Sequence, residues 1–201
     1  MTTATRLRLG PKEAGTALAL EDFLAANFVE GFRYELIDGR LTVSPAAGLP
    51  HDQLETFMMY ILWRYAERYP NVINYVSAKA RVFLPAALHT TCPEPDLAAY
   101  HNMPKFVSGI DWRQFSPLLV IEILSPDNAD KDLERNVDLY FQVPSIKEYW
   151  VVDGITEESR PSMKVYRRWG QKWRIIDVPF DSVYTTRFLP GFELRMNPFM
   201  T

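Results

Sequence analysis

The sequence predicts a mixed α/β (α+β) fold, and three observations carry that expectation. Tyr34-Glu35-Leu36-Ile37 and Leu41-Thr42-Val43 flank Asp38-Gly39, a pair suited to the two positive-φ positions of a type I′ hairpin turn. Leu54, Phe57, Met58, Ile61, Leu62 and Tyr65 recur at the spacing of one helix face. Residues 118–124 are apolar but for Glu122, which suits a central strand covered on both faces. Strands, a long helix, strands, a second helix and more strands describe one mixed domain.

The elements follow in chain order. Residues 1–18 read as a flexible leader, and residues 20–26 as a short helix. After the Asp38-Gly39 hairpin, residues 44–48 form a loop. The long helix starts near Pro50-His51 and stops before Pro70. Strands are expected at residues 80–84, 95–100 and 118–124. Residues 125–130 form a polar loop. The second helix, residues 132–143, is expected to turn Leu133, Val137, Tyr140 and Phe141 inward. Residues 148–153 form another strand. Residues 163–169 and 172–178 form a hairpin through Gly170-Gln171, and residues 183–194 add short edge strands. The boundaries expected are a leader over 1–18 and a single domain over 19–201 with a C-terminal β-hairpin extension.

Composition narrows the function. The chain has 201 residues and a formal net charge of −3, so charge alone would not make it coat nucleic acid. A carboxylate-rich metal site remains compatible with that balance. Cys92 is the only cysteine, which excludes an intrachain disulfide and a cysteine-based zinc site. A reducing cytoplasm is the expected location. Lys12 and Glu13 break the apolar stretch a signal peptide needs. No segment approaches the roughly 18 apolar residues of a membrane span.

Glu122 is the first chemical candidate. Alternation along a strand puts it on one face with Val120 and Leu124. An ionised carboxylate there costs several kcal/mol unless it is compensated. The compensation is a cation, a hydrogen-bond cluster or a shift to the neutral form. Asp96 follows Pro95 at the start of a short strand. Two carboxylates at the ends of two strands can converge on a hard cation such as Mg²⁺ or Mn²⁺. Taken singly, each has a structural reading: an ion-paired glutamate and a strand-entry aspartate. Glu35, in the first hairpin, is a third candidate, its other readings being a solvent-facing residue of an alternating strand or an ion pair. His51, at the start of the long helix, orients a phosphate, shuttles a proton, or caps and packs.

The ordered set is more specific than its members. Tyr34-Glu35-Leu36-Ile37-Asp38-Gly39 is followed by Ser44-Pro45, by His51 before a helix and by Pro95-Asp96. Then come Val120-Ile121-Glu122-Ile123-Leu124-Ser125-Pro126, Asp132, Tyr140 and Glu148-Tyr149-Trp150-Val151-Val152-Asp153. In this order the chain resembles the Uma-two restriction-endonuclease family, a branch of the PD-(D/E)xK nuclease superfamily. The resemblance runs from about residue 20 to 153 and more weakly beyond. It implies a restriction-endonuclease-like fold, with a central mixed β-sheet flanked by helices. It implies a Mg²⁺- or Mn²⁺-dependent endonuclease acting on DNA, with Asp96 and Glu122 holding the metal and Glu35 assisting. By analogy with restriction nucleases it also implies a homodimer. No organic cofactor is expected.

The chain departs from the superfamily at the lysine. The usual slot, two residues after the acidic strand residue, holds Leu124. The relocated slot on the next helix, four residues before the tyrosine, holds Asn136. Lys131 and Arg135, four apart on one helix face, are the nearby substitutes, with Lys79 more remote. Asp132, Asn136 and Tyr140 share a different face. The second hairpin interleaves cations and aromatics: Lys164, Tyr166, Arg167, Arg168, Trp169, Lys172, Trp173 and Arg174. Arg167 and Arg168 are its candidate substrate contacts, the other reading being a solvated hairpin. Two further readings stay open. One is a catalytically degenerate nuclease fold that binds nucleic acid or protein. The other is a purely structural ion-pair cluster.

Overall fold

A computed structural model describes residues 6–85, 87–104, 111–126, 129–157 and 159–199. Its elements, in chain order, are β1 (Arg8–Leu9), α1 (Leu20–Ala25), β2 (Asn27–Phe28), β3 (Phe32–Ile37) and β4 (Arg40–Pro45). Then come α2 (Leu49–Arg68), β5 (Tyr75–Ser77), β6 (Leu97–Tyr100) and β7 (Leu119–Ile123). A π-helical turn, Lys131–Arg135, runs directly into α3 (Asn136–Phe141). β8 (Glu148–Asp153), β9 (Ser162–Trp169), β10 (Lys172–Val178), β11 (Val183–Thr185) and β12 (Glu193–Arg195) complete the chain.

Six strands form the central sheet, in the order β10-β9-β8-β7-β6-β5. β7 and β8 are parallel and the other pairs antiparallel. β7 lies inside the sheet and all five of its residues are buried, as its apolar run requires. Its two faces serve two cores. Leu119, Ile121 and Ile123 pack with Leu54, Met58, Leu62 and Tyr65 of α2. Val120 and Leu124 pack with Tyr140, Val143, Tyr149 and Val151 on the α3 side. Glu122 therefore points to the α3 side.

α2 forms because residues 51–68 contain neither Gly nor Pro, and Pro50 sits in its first turn, where a missing N–H costs nothing. Pro70 forbids its continuation by disfavouring helical backbone at Tyr69. Each of its fully buried aliphatic side chains contributes about 1.5–3 kcal/mol. The Asp38-Gly39 turn has positive φ at both residues, 50° and 70°, and joins β3 to β4 as the sequence implies.

Several expectations change. Residues 80–84 are extended but form no strand. Val82 and Leu84 bond only to the carbonyls of Pro93 and Thr91, and Pro93 and Pro95 have no N–H to return a ladder. The tail strands β11 and β12 pair with each other rather than with the central sheet. Residues 1–5 of the expected leader lie outside the described residues, but Arg8–Leu9 pairs with β2. Leu9 is buried beside Phe23, Tyr34, Leu36, Leu41 and Cys92, a cluster that needs an apolar lid. The hairpin β9–β10 extends the central sheet beyond β8. On the second helix, the buried residues are Asp132, Asn136 and Tyr140, while Leu133 is 36% exposed. Glu122 beneath the helix demands polar partners, and that demand sets the helix rotation. No helix among the described residues is long and apolar enough to cross a membrane.

Candidate active site

β6 runs antiparallel to β7, with Leu97 opposite Ile121. The start of one strand therefore meets the end of the other, and Asp96 comes beside Glu122. The contact is reciprocal. Ile123 N–H donates to Asp96 Oδ2 at 2.6 Å, and Asp96 N–H reaches Glu122 Oε2 at 3.4 Å. Both carboxylates are almost wholly buried.

Glu122 Oε1 accepts from Asn136 Nδ2 at 2.9 Å and from the Tyr140 hydroxyl at 2.8 Å. Its Oε2 has only the long backbone contact and Lys131 Nζ at 4.0 Å. Burial drives the Glu122 carboxyl well above its ordinary pKa. Lys131 opposes that, and Asp132, Asp96 and Glu35 reinforce it. Lys131 also lies 3.3 Å from Asp132. Burial pushes the Asp132 carboxyl up to about 6 against the pull of Lys131. On Lys131 itself burial favours the neutral amine, but Glu122, Glu35 and Asp132 outweigh it and hold the ammonium charged.

Asp96 has its own cations. Arg33 Nη1 pairs with Oδ1, and His51 Nε2 lies 3.1 Å from Oδ2. Burial favours the neutral acid here too. The His51 hydrogen bond and the Arg33 charge prevail and keep Asp96 below its ordinary pKa. Glu55, one helical turn after His51, lies 3.5 Å from Arg33 and 3.8 Å from His51. Glu35 accepts from Glu94 N–H at 3.1 Å and pairs with Arg135 at 2.9 Å.

Glu35, His51, Asp96, Glu122, Lys131 and Arg135 thus all join one continuous cluster. Arg167 and Arg168 do not. Arg167 binds Glu148, Tyr184 and the Thr185 carbonyl. Arg168 donates to the carbonyls of Phe141, Val143 and Ile146 and stacks on Phe141 and Trp173. Arg33, Glu55 and Asn136 are members that the sequence did not single out as site residues. Their signals were present: Arg33 shares a strand face with Glu35, and Glu55 follows His51 by four residues.

The sequence matches the family described as "Uma2: Putative restriction endonuclease" over residues 20–197. The chain belongs to the Uma2 family. Among curated proteins none matches. The fold is similar to a crystal structure described as a putative nuclease belonging to DUF820 from Anabaena variabilis. That similarity has a TM-score of 0.63 at 18% identity and covers 89% of this chain and 95% of the other.

In this Uma2 chain, one group of side chains among the described residues has the spacing to hold a cation. His51, Glu55 and Asp96 each offer a ligand atom, all within 4.8 Å of one another. Glu122 lies outside that group, and Oε2 is the less engaged of its two oxygens. Five carboxylates (Glu35, Glu55, Asp96, Glu122 and Asp132) face three permanent cations, Arg33, Lys131 and Arg135. The oxygen donors of these carboxylates suit a hard divalent ion, whose charge would favour the ionised form of the buried Glu122.

Proposed function

We propose that this Uma2 protein is a metal-dependent endonuclease that hydrolyses phosphodiester bonds in DNA, with Mg²⁺ or Mn²⁺ held by Asp96 and Glu122. The observation that carries this reading is the place of Lys131. Both lysine slots expected by the superfamily hold neutral residues, yet an ammonium stands 4.0 Å from Glu122 Oε2. Leu124 and Asn136 therefore do not leave the site without a cation.

A bound divalent ion supplies charge neutralisation at the phosphate and a lowered pKa for an attacking water. The protein's own groups do the rest. Asn136 and Tyr140 fix Glu122 through Oε1 and leave Oε2 toward the site. Ile123 N–H fixes Asp96 through Oδ2. Lys131, charged and 17% exposed, is placed to stabilise the anionic nucleophile or the pentavalent phosphate. Glu35 orients Arg135, which can donate to a phosphate oxygen through its remaining guanidinium N–H groups. Arg33 pairs with Asp96 Oδ1, and His51 Nε2 lies within hydrogen-bond distance of Oδ2, so both hold the carboxylate in place. Two strands need two cuts, and a homodimer supplies two such sites; light scattering reporting a dimer mass would bear this out, and a monomer mass would refute it.

The test is nicking of supercoiled plasmid by wild type and Lys131→Met in Mg²⁺ or Mn²⁺. Loss of one electrostatic stabiliser should slow cleavage by about 10²–10³-fold. Full activity in Lys131→Met would remove the lysine from the mechanism.

A further inference from the structure

Lys131 and Asn136 are five residues apart, so on a regular α-helix they would sit about 140° apart around the axis. One carboxylate could not then hold both. The π turn alters the count. Asn136 N–H bonds the Lys131 carbonyl, an i→i+5 closure, and at about 4.4 residues per turn the two positions come within roughly 50° of each other. That is why Asn136 donates to Glu122 Oε1 at 2.9 Å while Lys131 stands 4.0 Å from Oε2.

A widened turn persists where a side chain engages its backbone. The Tyr149 hydroxyl, on β8 beneath the turn, donates to the Asp132 carbonyl at 2.8 Å. Tyr149 is fully buried. Its ring is held between Tyr140 and Tyr166, with centroids at 4.9 and 5.5 Å. The hydroxyl therefore has one defined place, under the second residue of the π turn.

We propose that Tyr149 is a positioning residue of the site: its hydroxyl holds the π turn open and so sets Lys131 against Glu122. The catalytic consequence rests on the nuclease reading; the structural consequence does not. Tyr149→Phe keeps the stacked ring, which preserves the fold and removes only the hydroxyl.

Two measurements on the full-length protein test the role. The first is competitive amine acetylation of metal-free protein, read by mass spectrometry on the Lys131 peptide. Lys131 reacts slowly in wild type and at least about 10-fold faster in Tyr149→Phe, the equivalent of losing roughly one buried hydrogen bond. Lys164, 41% exposed on the β9–β10 hairpin, keeps its rate. The second measurement is plasmid cleavage. Tyr149→Phe lowers kcat by at least about 10-fold with little change in KM, as expected for a misplaced catalytic group, and adds nothing further on top of Lys131→Met. Unchanged Lys131 labelling in folded Tyr149→Phe overturns the proposal whatever the cleavage rate. Faster labelling in a protein that cuts no DNA upholds the positioning role and defeats the nuclease reading instead.

Discussion

Replacing Arg168 by Ala separates two roles that the sequence leaves open for the β9–β10 hairpin. In the fold, this guanidinium closes the C-terminal end of α3. Nη2 donates to the Phe141 carbonyl at 2.8 Å and the Val143 carbonyl at 3.1 Å, and Nε donates to the Ile146 carbonyl at 2.8 Å. It also lies 4.4 Å from the Phe141 ring centroid and 4.8 Å from that of Trp173. Three charge-assisted bonds at about 1.5 kcal/mol each would total roughly 4–5 kcal/mol. Arg168 is half-buried, so water can reach some of the abandoned carbonyls and reduce that figure. A net loss of about 3 kcal/mol follows, with helix-dipole and cation–π contributions inside the spread. For a chain of this size that lowers Tm by about 6–12 °C. Arg168→Lys recovers less than half, because an ammonium cannot fork across three carbonyls. Thermal and urea unfolding measure the change. An Arg168→Ala protein with unchanged Tm and weakened, less salt-dependent DNA binding would refute this reasoning and restore Arg168 as a phosphate contact.

Two further outcomes follow from buried groups. Cys92 is fully buried, and burial raises its thiol pKa to about 11; Ellman's reagent should therefore leave the native protein unmodified at pH 8 and react fully in denaturant, and rapid native labelling would contradict the packing. Asp132 has its pKa raised from 3.8 to about 6, so its contribution to stability is fully present below about pH 4 and lost as pH rises through 6; metal-free protein should lose at most about 3 kcal/mol from this group between pH 4 and 7.5, and Asp132→Asn should flatten that slope in denaturant titrations, an unaltered slope counting against it.

Much of the fold was legible because local chemistry and tertiary need agree. Asp38-Gly39 can adopt positive φ, so the first hairpin is where the sequence puts it. The apolar stripe of α2 is also its buried face. Asp96 and Glu122 could be paired in advance because each sits at a strand end. The second helix was legible only in part. Tyr140 is buried and Val137 packs against the core as the 3.6-residue period implies, but Leu133 is exposed, because a buried carboxylate attracts Asn136 and a π turn shifts the phase. No hydrophobic pattern encodes that shift. Arg167 and Arg168 look like phosphate contacts in sequence, since what consumes them is distant: Glu148 on the neighbouring strand and the end of α3. Glu148 itself was read only as a strand residue, yet Arg167, Trp150, Tyr184 and Thr186 all donate to it.

In the proposed nuclease, Asp96 and Glu122 would hold a catalytic divalent ion. The most direct measurement is the initial rate of plasmid nicking against Mg²⁺ or Mn²⁺ concentration, for wild type, Asp96→Asn and Glu122→Gln. Wild type should show saturable metal dependence, EDTA should abolish cleavage, and each variant should lose at least about 10²-fold. Cleavage that ignores EDTA, or that proceeds equally in both variants, would contradict that assignment.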